Sequence, residues 1–259
     1  MNVFSRRSFF PPHRPAERGN MIFIVFIAVV LIGLLTAAIS NSSFMESANT
    51  DKETIALRIS QAQQFSQSVA RAVTLILDKG YSESDIRFAH ADAPADYGDL
   101  AADADPTNQV FHRDGGGADY QKPPKDVSTA TAWEFYGGTA IPGVGSDRAD
   151  LVAVLPHVSK AFCAQLNALD QTNGEQDIPT DDGGSFGSAG AAGDCVYMGD
   201  DSRFGDGSRF YDPPNTMNDS SFTQYDTPSG SAVRPAPEGC VACSAGGTTY
   251  HFYHVILAR

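Results

Sequence analysis

Positive charge is scarce in this chain. Its 259 residues hold 18 Lys and Arg against 31 Asp and Glu, with six His. Binding to a phosphate backbone rests on clustered Lys and Arg, and no such cluster follows the N-terminal region, so nucleic acid is not an expected partner. Charge of either sign is missing from residues 21–39, and the first charged residue after them is Glu46. Proline is absent from residues 20–79, and glycine occurs there once, at Gly33. Helix breakers are therefore nearly absent over sixty residues, which leaves that stretch free to be helical. Nucleophilic catalysis also lacks its signatures: there is no Ser elbow, no Cys paired with a His and no P-loop. The glycines at 115–117 read as a turn, not as a phosphate cradle. No enzyme activity, cofactor or metal is expected.

What is present begins with ERGNMIFIVFIAVVLIGLLTAAIS, residues 17–40. Residues 21–39 are uncharged throughout, and as a helix they would span about 28 Å, close to the hydrocarbon thickness of a bilayer. Arg6, Arg7, Arg14 and Arg18 precede them against the single acid Glu17. A Lys/Arg excess on one side places the N-terminus in the cytoplasm and the remainder outside, giving a single-pass protein with a large exported domain. Ala37-Ala38 leaves ordinary signal-peptide cleavage open. Beyond the run, Ile55, Ile59, Ala62, Ser66, Val69, Val73 and Ile76 step alternately by four and three. That spacing draws one stripe on a helix, with Glu53, Arg58, Gln64, Gln67 and Arg71 opposite. Lys79-Gly80 is a helix stop. One helix over residues 20–79 follows, or two helices broken at Ser40-Asn41-Ser42-Ser43.

These residues resemble those of type IV pilin-like and pseudopilin-like proteins. In that family a basic leader ends in Gly, prepilin peptidase cuts after it, and a long helix follows, half membrane anchor and half scaffold. The resemblance covers roughly residues 14–80, and the run WEFYGGTAIPGVGSDRADLVAVLP is similar to the globular part of alphaproteobacterial relatives. It implies a leader of residues 1–19, cleavage between Gly19 and Asn20, a methylated new N-terminus, a helix of 20–79 and an exported domain of 80–259. It also implies the partners: inner-membrane lipid, prepilin peptidase and other pilin-like subunits bundled through the N-terminal helix. The implied role is a structural subunit of a type IV pilus or a type II secretion-like pseudopilus. One departure matters. Family members carry Glu at the fifth residue after the cut, and here that residue is Ile24. A tip-type or otherwise minor subunit fits that loss, and so does a branch of the family whose filament uses other contacts. A permanently anchored envelope protein whose ectodomain binds a partner or ligand is the alternative.

Without residues 1–19 the chain holds 14 basic and 30 acidic residues, a balance suited to an exported, soluble surface. Its four cysteines, Cys163, Cys195, Cys240 and Cys243, form an even set, which in an oxidising compartment reads as two disulfides. Three connectivities are open; Cys163 with Cys195 and Cys240 with Cys243 is the expected one. Cys240 and Cys243 with His251 and His254 miss the zinc-finger spacing, and an offset of three along a strand sends the two His to opposite faces. Asp200, Asp201, Asp206 and Asp212 fail as a calcium loop, because Tyr211 falls at the last ligand place.

The expected fold class is α+β: a long N-terminal helix packed on a small antiparallel sheet with long loops, pilin-like in form. Residues 84–125 read as loop, anchored by Ile86, Phe88, Val110 and Phe111. TAWEFYG, DLVAVLP and the C-terminal TTYHFYHVILAR read as strands. HVSKAFCAQLNALDQ reads as a helix with Ser159 as cap and Val158, Phe162, Leu166 and Leu169 on one face. From residue 171 to 247 Gly, Asp, Ser and Pro dominate, yet Phe186, Tyr197, Phe204, Phe210, Tyr211, Phe222 and Tyr225 recur, as in loops pinned to a surface.

Overall fold

The computed structural model describes residues 21–141, 143–169, 178–181, 195–197, 203–204, 210, 214–217, 236–243 and 248–259; among residues 21–50 it describes only the side chains of 26–32. The chain divides into two compact units, Met1–Asp51 and Lys52–Arg259. Helix α1 takes Met21–Asp78 and has residues in both. Among the described residues no helix is long and apolar enough to cross a membrane.

Glycine ends α1. Gly80 sits at φ 94°, a conformation costly for any residue with a Cβ, and its N–H donates to Leu77 O at 2.9 Å. The Lys79 ammonium then donates to the carbonyls of Asp114 (2.7 Å) and Gly115 (2.6 Å), tying the helix end to the following loop. Within the larger unit Ile59, Ala62, Ser66, Val69, Val73 and Ile76 are buried, and Phe65 and Ala72 widen the buried face. Ser66 is accommodated there because its hydroxyl donates back to Gln63 O at 3.1 Å.

The sheet has six strands in the order β3-β5-β6-β2-β1-β4: β1 Glu134–Ala140, β2 Asp150–Leu155, β3 Thr180–Asp181, β4 Asn215–Thr216, β5 Glu238–Cys243 and β6 Thr249–Leu257. The central pairs β5–β6, β6–β2 and β2–β1 are antiparallel, while β3 joins β5 and β4 joins β1 in parallel. This corrects the fold class expected from the sequence. The sheet is mixed and six-stranded rather than small and antiparallel, and it is buried on both faces rather than laid against one helix. The reason lies in length: β3 and β4 are two-residue strands from the Gly- and Asp-rich region, too short to show any period-2 pattern. The first strand also starts later than Thr131 and runs on through Gly137 and Gly138, where its register to β2 shifts between Tyr136 and Thr139. Paired glycines inside a strand mark such a bulge.

One face of the sheet carries Trp133, Phe135, Leu151, Ala153, Leu155, Cys240, Phe252 and Ile256, in one core with the α1 stripe and with α2, Lys160–Leu169. Ser159 caps α2, accepting from the Phe162 N–H at 3.2 Å. Phe162 and Leu166 are buried; Leu169, expected on that face, is the last residue of α2 and is 58 % exposed. Loop residues close this core from the side. Ile86, Phe88, Val110 and Phe111 are buried, and Phe88 stacks on Phe135 with centroids 4.2 Å apart. The glycine turn packs tightly beside α1. A Cβ at Gly116 would lie 2.6 Å from the Ala72 Cβ and 2.8 Å from Val110 O, so only hydrogen fits. The other sheet face carries Tyr136, Val152, Val154, Val241, Cys243, Tyr253 and Val255, covered by Cys195, Val196 and Met217.

Candidate functional site

Three places in the described residues hold chemistry beyond packing: the strand β5 with its disulfides, a buried ion-pair cluster on β1, and a His/Tyr cluster beside β6.

All four cysteines are paired, Cys163 with Cys240 and Cys195 with Cys243, at Cα separations of 5.2 and 5.8 Å. The expected pairing of Cys163 with Cys195 and Cys240 with Cys243 is therefore corrected. Strand geometry gives the cause. Residues three apart on a strand point to opposite faces, so Cys240 meets α2 on one side and Cys243 meets the 195–197 segment on the other. CVAC thus sits within a strand, not at a helix N-terminus as redox chemistry needs. The open edge of β5 beside Cys240 is closed by a side chain. Asn167 of α2 donates to Cys240 O and accepts from Cys240 N, both at 3.0 Å, as a neighbouring strand would. On the facing pair, Glu238 accepts from Gln63 of α1 at 2.6 Å and lies 2.8 Å from the His254 Nδ1.

On β1, the Arg203 guanidinium grips Glu134 through Nε (2.6 Å) and Nη2 (2.8 Å), and its Nη1 reaches Asp96. The Tyr97 hydroxyl donates to Glu134 Oε2 at 2.9 Å and accepts from the Phe135 N–H at 2.7 Å. Burial, then the adjoining Glu134 carboxylate, pushes the Tyr97 phenol well above its ordinary range. Hydrogen bonding to Glu134 raises the Arg203 value. A bidentate pair of this kind holds position and has no proton to give at neutral pH. It fixes Arg203 and Phe204 on the outer edge of β1, where Phe204 N donates to Phe135 O at 2.7 Å. Sequence reasoning missed this cluster, since Arg203 and Glu134 lie 69 residues apart.

Beside β6, His251 is fully buried. Its Nδ1 accepts from the His157 N–H at 3.3 Å, and its Nε2 lies 2.8 Å from Thr249 Oγ1. Tyr197 stacks on its ring at 4.8 Å, and the His157 ring meets it edge-on at 5.1 Å. His157 itself adopts φ 52°, uncommon for a residue with a Cβ. Thr249 and His251 have the spacing of a nucleophile and its base, but the proton order is wrong. Nδ1 is an acceptor, so in the neutral ring Nε2 carries the hydrogen and donates to Thr249. The pair is structural.

Burial, with His157 adding to it, lowers the His251 value to about 3. An unfolded His titrates near 6.5, so between about pH 6.5 and 3 unfolding takes up a proton and acid destabilises the fold, by about 1.4 kcal/mol per pH unit. The contribution is fully present above pH 6.5 and lost as pH falls toward 3. Urea unfolding at pH 7, 5.5 and 4.5 is expected to show that slope in the native chain and a shallower one in His251→Asn, whose amide oxygen lies where Nδ1 does and can still accept from the His157 N–H. Equal slopes would contradict the assignment. Asp150 works in the opposite sense in a lower window. Burial raises its value although Ile141 N (3.0 Å) and Arg259 N (2.9 Å) donate to it, so its contribution is present below the ordinary carboxylate range and lost as pH rises.

His251 and His254 do lie on opposite faces of β6, and among the described residues no group of three His, Cys, Asp or Glu is placed to hold a metal ion. Gly19 and Asn20, the expected cleavage pair, fall outside the described residues, as do Asp200, Asp201, Asp206 and Asp212. Within residues 21–39 the described side chains are those of 26–32. Phe26, Ile27, Val29, Val30, Leu31 and Ile32 are 45–70 % exposed. Comparison of the chain with protein-family models, with curated proteins and with solved structures finds no match.

Proposed function

We propose that this chain is a structural subunit, a minor one, of a type IV pilus or a type II secretion-like pseudopilus filament, cut by prepilin peptidase between Gly19 and Asn20. The observation that carries the reading is the run of exposed apolar side chains at residues 26–32 of α1. A helix apolar on all sides needs lipid or other helices around it. A filament subunit uses both in turn, waiting in the inner membrane and then bundling with its neighbours. The membrane half of the reading rests on the sequence of residues 21–39, uncharged and about one bilayer long. Two disulfides support an exported, oxidising location for the larger unit.

Ile24, standing where the family carries Glu, favours a second reading, a permanently anchored envelope protein that binds a partner through its ectodomain. The mass of the N-terminal peptide decides. A chain starting at Asn20, methylated, is the expected result, with Gly19→Val leaving the uncut chain and abolishing assembly. An intact Met1 in membrane-extracted protein would overturn processing and leave the anchored reading.

A further inference from the structure

The two disulfides share a feature that neither bond requires. Each has a buried polar side chain, fixed beside one cysteine, that holds the backbone at or next to the other. On α2, Asn167 lies four residues after Cys163, one turn on along the same face. Its amide donates to Cys240 O and accepts from Cys240 N, both at 3.0 Å. In the β3–β5 pair, Asp181 is the register partner of Cys243. Its carboxylate accepts from the N–H of Val196, the residue after Cys195, at 2.8 Å. Asn167 is 6 % exposed and Asp181 1 %. A buried amide or carboxylate is costly without partners, so each suits its place only when that backbone segment lies against it. Apolar side chains would fill the same space without that demand.

We propose that Asn167 and Asp181 are positioning residues that select the native pairing: they seat Cys240 against Cys163 and Cys195 against Cys243 while all four are still thiols. The inference stands apart from the subunit reading. Chain statistics alone favour another pairing. Closing a loop costs more as it lengthens, so an unfolded chain joins Cys163 to Cys195, 32 residues away, about fourfold more readily than to Cys240, 77 residues away. Asn167 counters this by matching an N–H and a C=O that a strand residue presents together, as Cys240 does on the edge of β5 away from β6. Asp181 acts on the other face of β5, where Cys243 and Cys195 meet. The bond-forming step itself is ordinary. Two thiols lose two protons and two electrons and join, while oxidised glutathione takes up both and is cleaved to two molecules of glutathione.

Refolding of the reduced full chain in glutathione buffer, with acid quenching and non-reducing peptide mapping, tests the proposal. Asn167→Ala and Asp181→Ala are each expected to raise the share of Cys163 linked to Cys195 roughly threefold, toward the loop-closure preference. Asp181→Asn keeps an acceptor for the Val196 N–H and is expected to pair as the native chain does. Arg203→Met controls for lost stability, because Arg203 bridges to β1, three strands from β5. Native pairing in either alanine variant would overturn the part assigned to that residue. Equal scrambling in Arg203→Met would show that general stability selects the bonds and would overturn both. Should the alanine variants aggregate, chains keeping one cysteine pair decide. With Cys163 and Cys240 alone, Asn167→Ala is expected to lower the equilibrium constant for oxidation by glutathione roughly fivefold more than Asp181→Ala does, and with Cys195 and Cys243 alone the reverse. Equal effects of both variants on both bonds would overturn the selection.

Discussion

Replacing Cys163 and Cys240 together by serine is expected to destabilise the larger unit by about 4–5 kcal/mol, the loop-closure entropy of a bond spanning 77 residues. The equivalent change at Cys195 and Cys243, spanning 48 residues, is expected to cost about 4 kcal/mol. Both changes together approach or exceed the total stability of an ordinary domain, about 5–15 kcal/mol, so the fourfold serine chain is expected to lose cooperative unfolding at 37 °C. Urea denaturation of the three variants measures this. Non-reducing peptide mapping checks its basis: it should recover Cys163 linked to Cys240 and Cys195 linked to Cys243. Recovery of Cys240 linked to Cys243 would overturn the two-face arrangement of β5.

The second large effect belongs to Arg203. Arg203→Met strands the Glu134 carboxylate, whose side chain is 7 % exposed, with the Tyr97 hydroxyl as its remaining donor among the described residues. Breaking one side of a buried pair costs about 3–5 kcal/mol, whereas removing both charges costs far less. Arg203→Met combined with Glu134→Gln is therefore expected to recover most of the loss. For a unit of this size each kcal/mol moves the melting temperature by about 2–4 °C, so the single variant should melt roughly 10 °C lower. Near-additive losses in the two single variants and the double would show that the pair is not coupled.

How much of this was legible depends on whether the signal was local. The four-three spacing from Ile59 to Ile76 was readable because a helix writes its buried face at a fixed period. Ser159 was readable as a cap and Lys79-Gly80 as a stop, since both act within one turn. Ile86, Phe88, Val110 and Phe111 stood out as isolated large apolar residues in a polar loop, and all four are buried. Tyr197, Phe204 and Phe210, read as pins in the Gly- and Asp-rich region, do touch the body: Phe204 is buried and meets Phe88 and Phe210 edge-on. The parallel edges β3 and β4 were not readable, being two residues each, nor was the Arg203–Glu134 contact across 69 residues. The cysteine pairing failed for a physical reason that the sequence did contain. Once TTYHFYHVILAR is a strand, the residues before it are free to be its antiparallel partner, and a Cys-x-x-Cys in that partner cannot close on itself.

The interleaving of the two bonds has a consequence for biogenesis. Were the larger unit exported as proposed, Cys163 and Cys195 would emerge before Cys240 and Cys243, yet the native bonds join the first to the third and the second to the fourth. An oxidant acting on thiols in order of arrival would link the first two and trap a shuffled species. Maturation therefore calls for an isomerase, or for thiols kept reduced until the final strand has arrived.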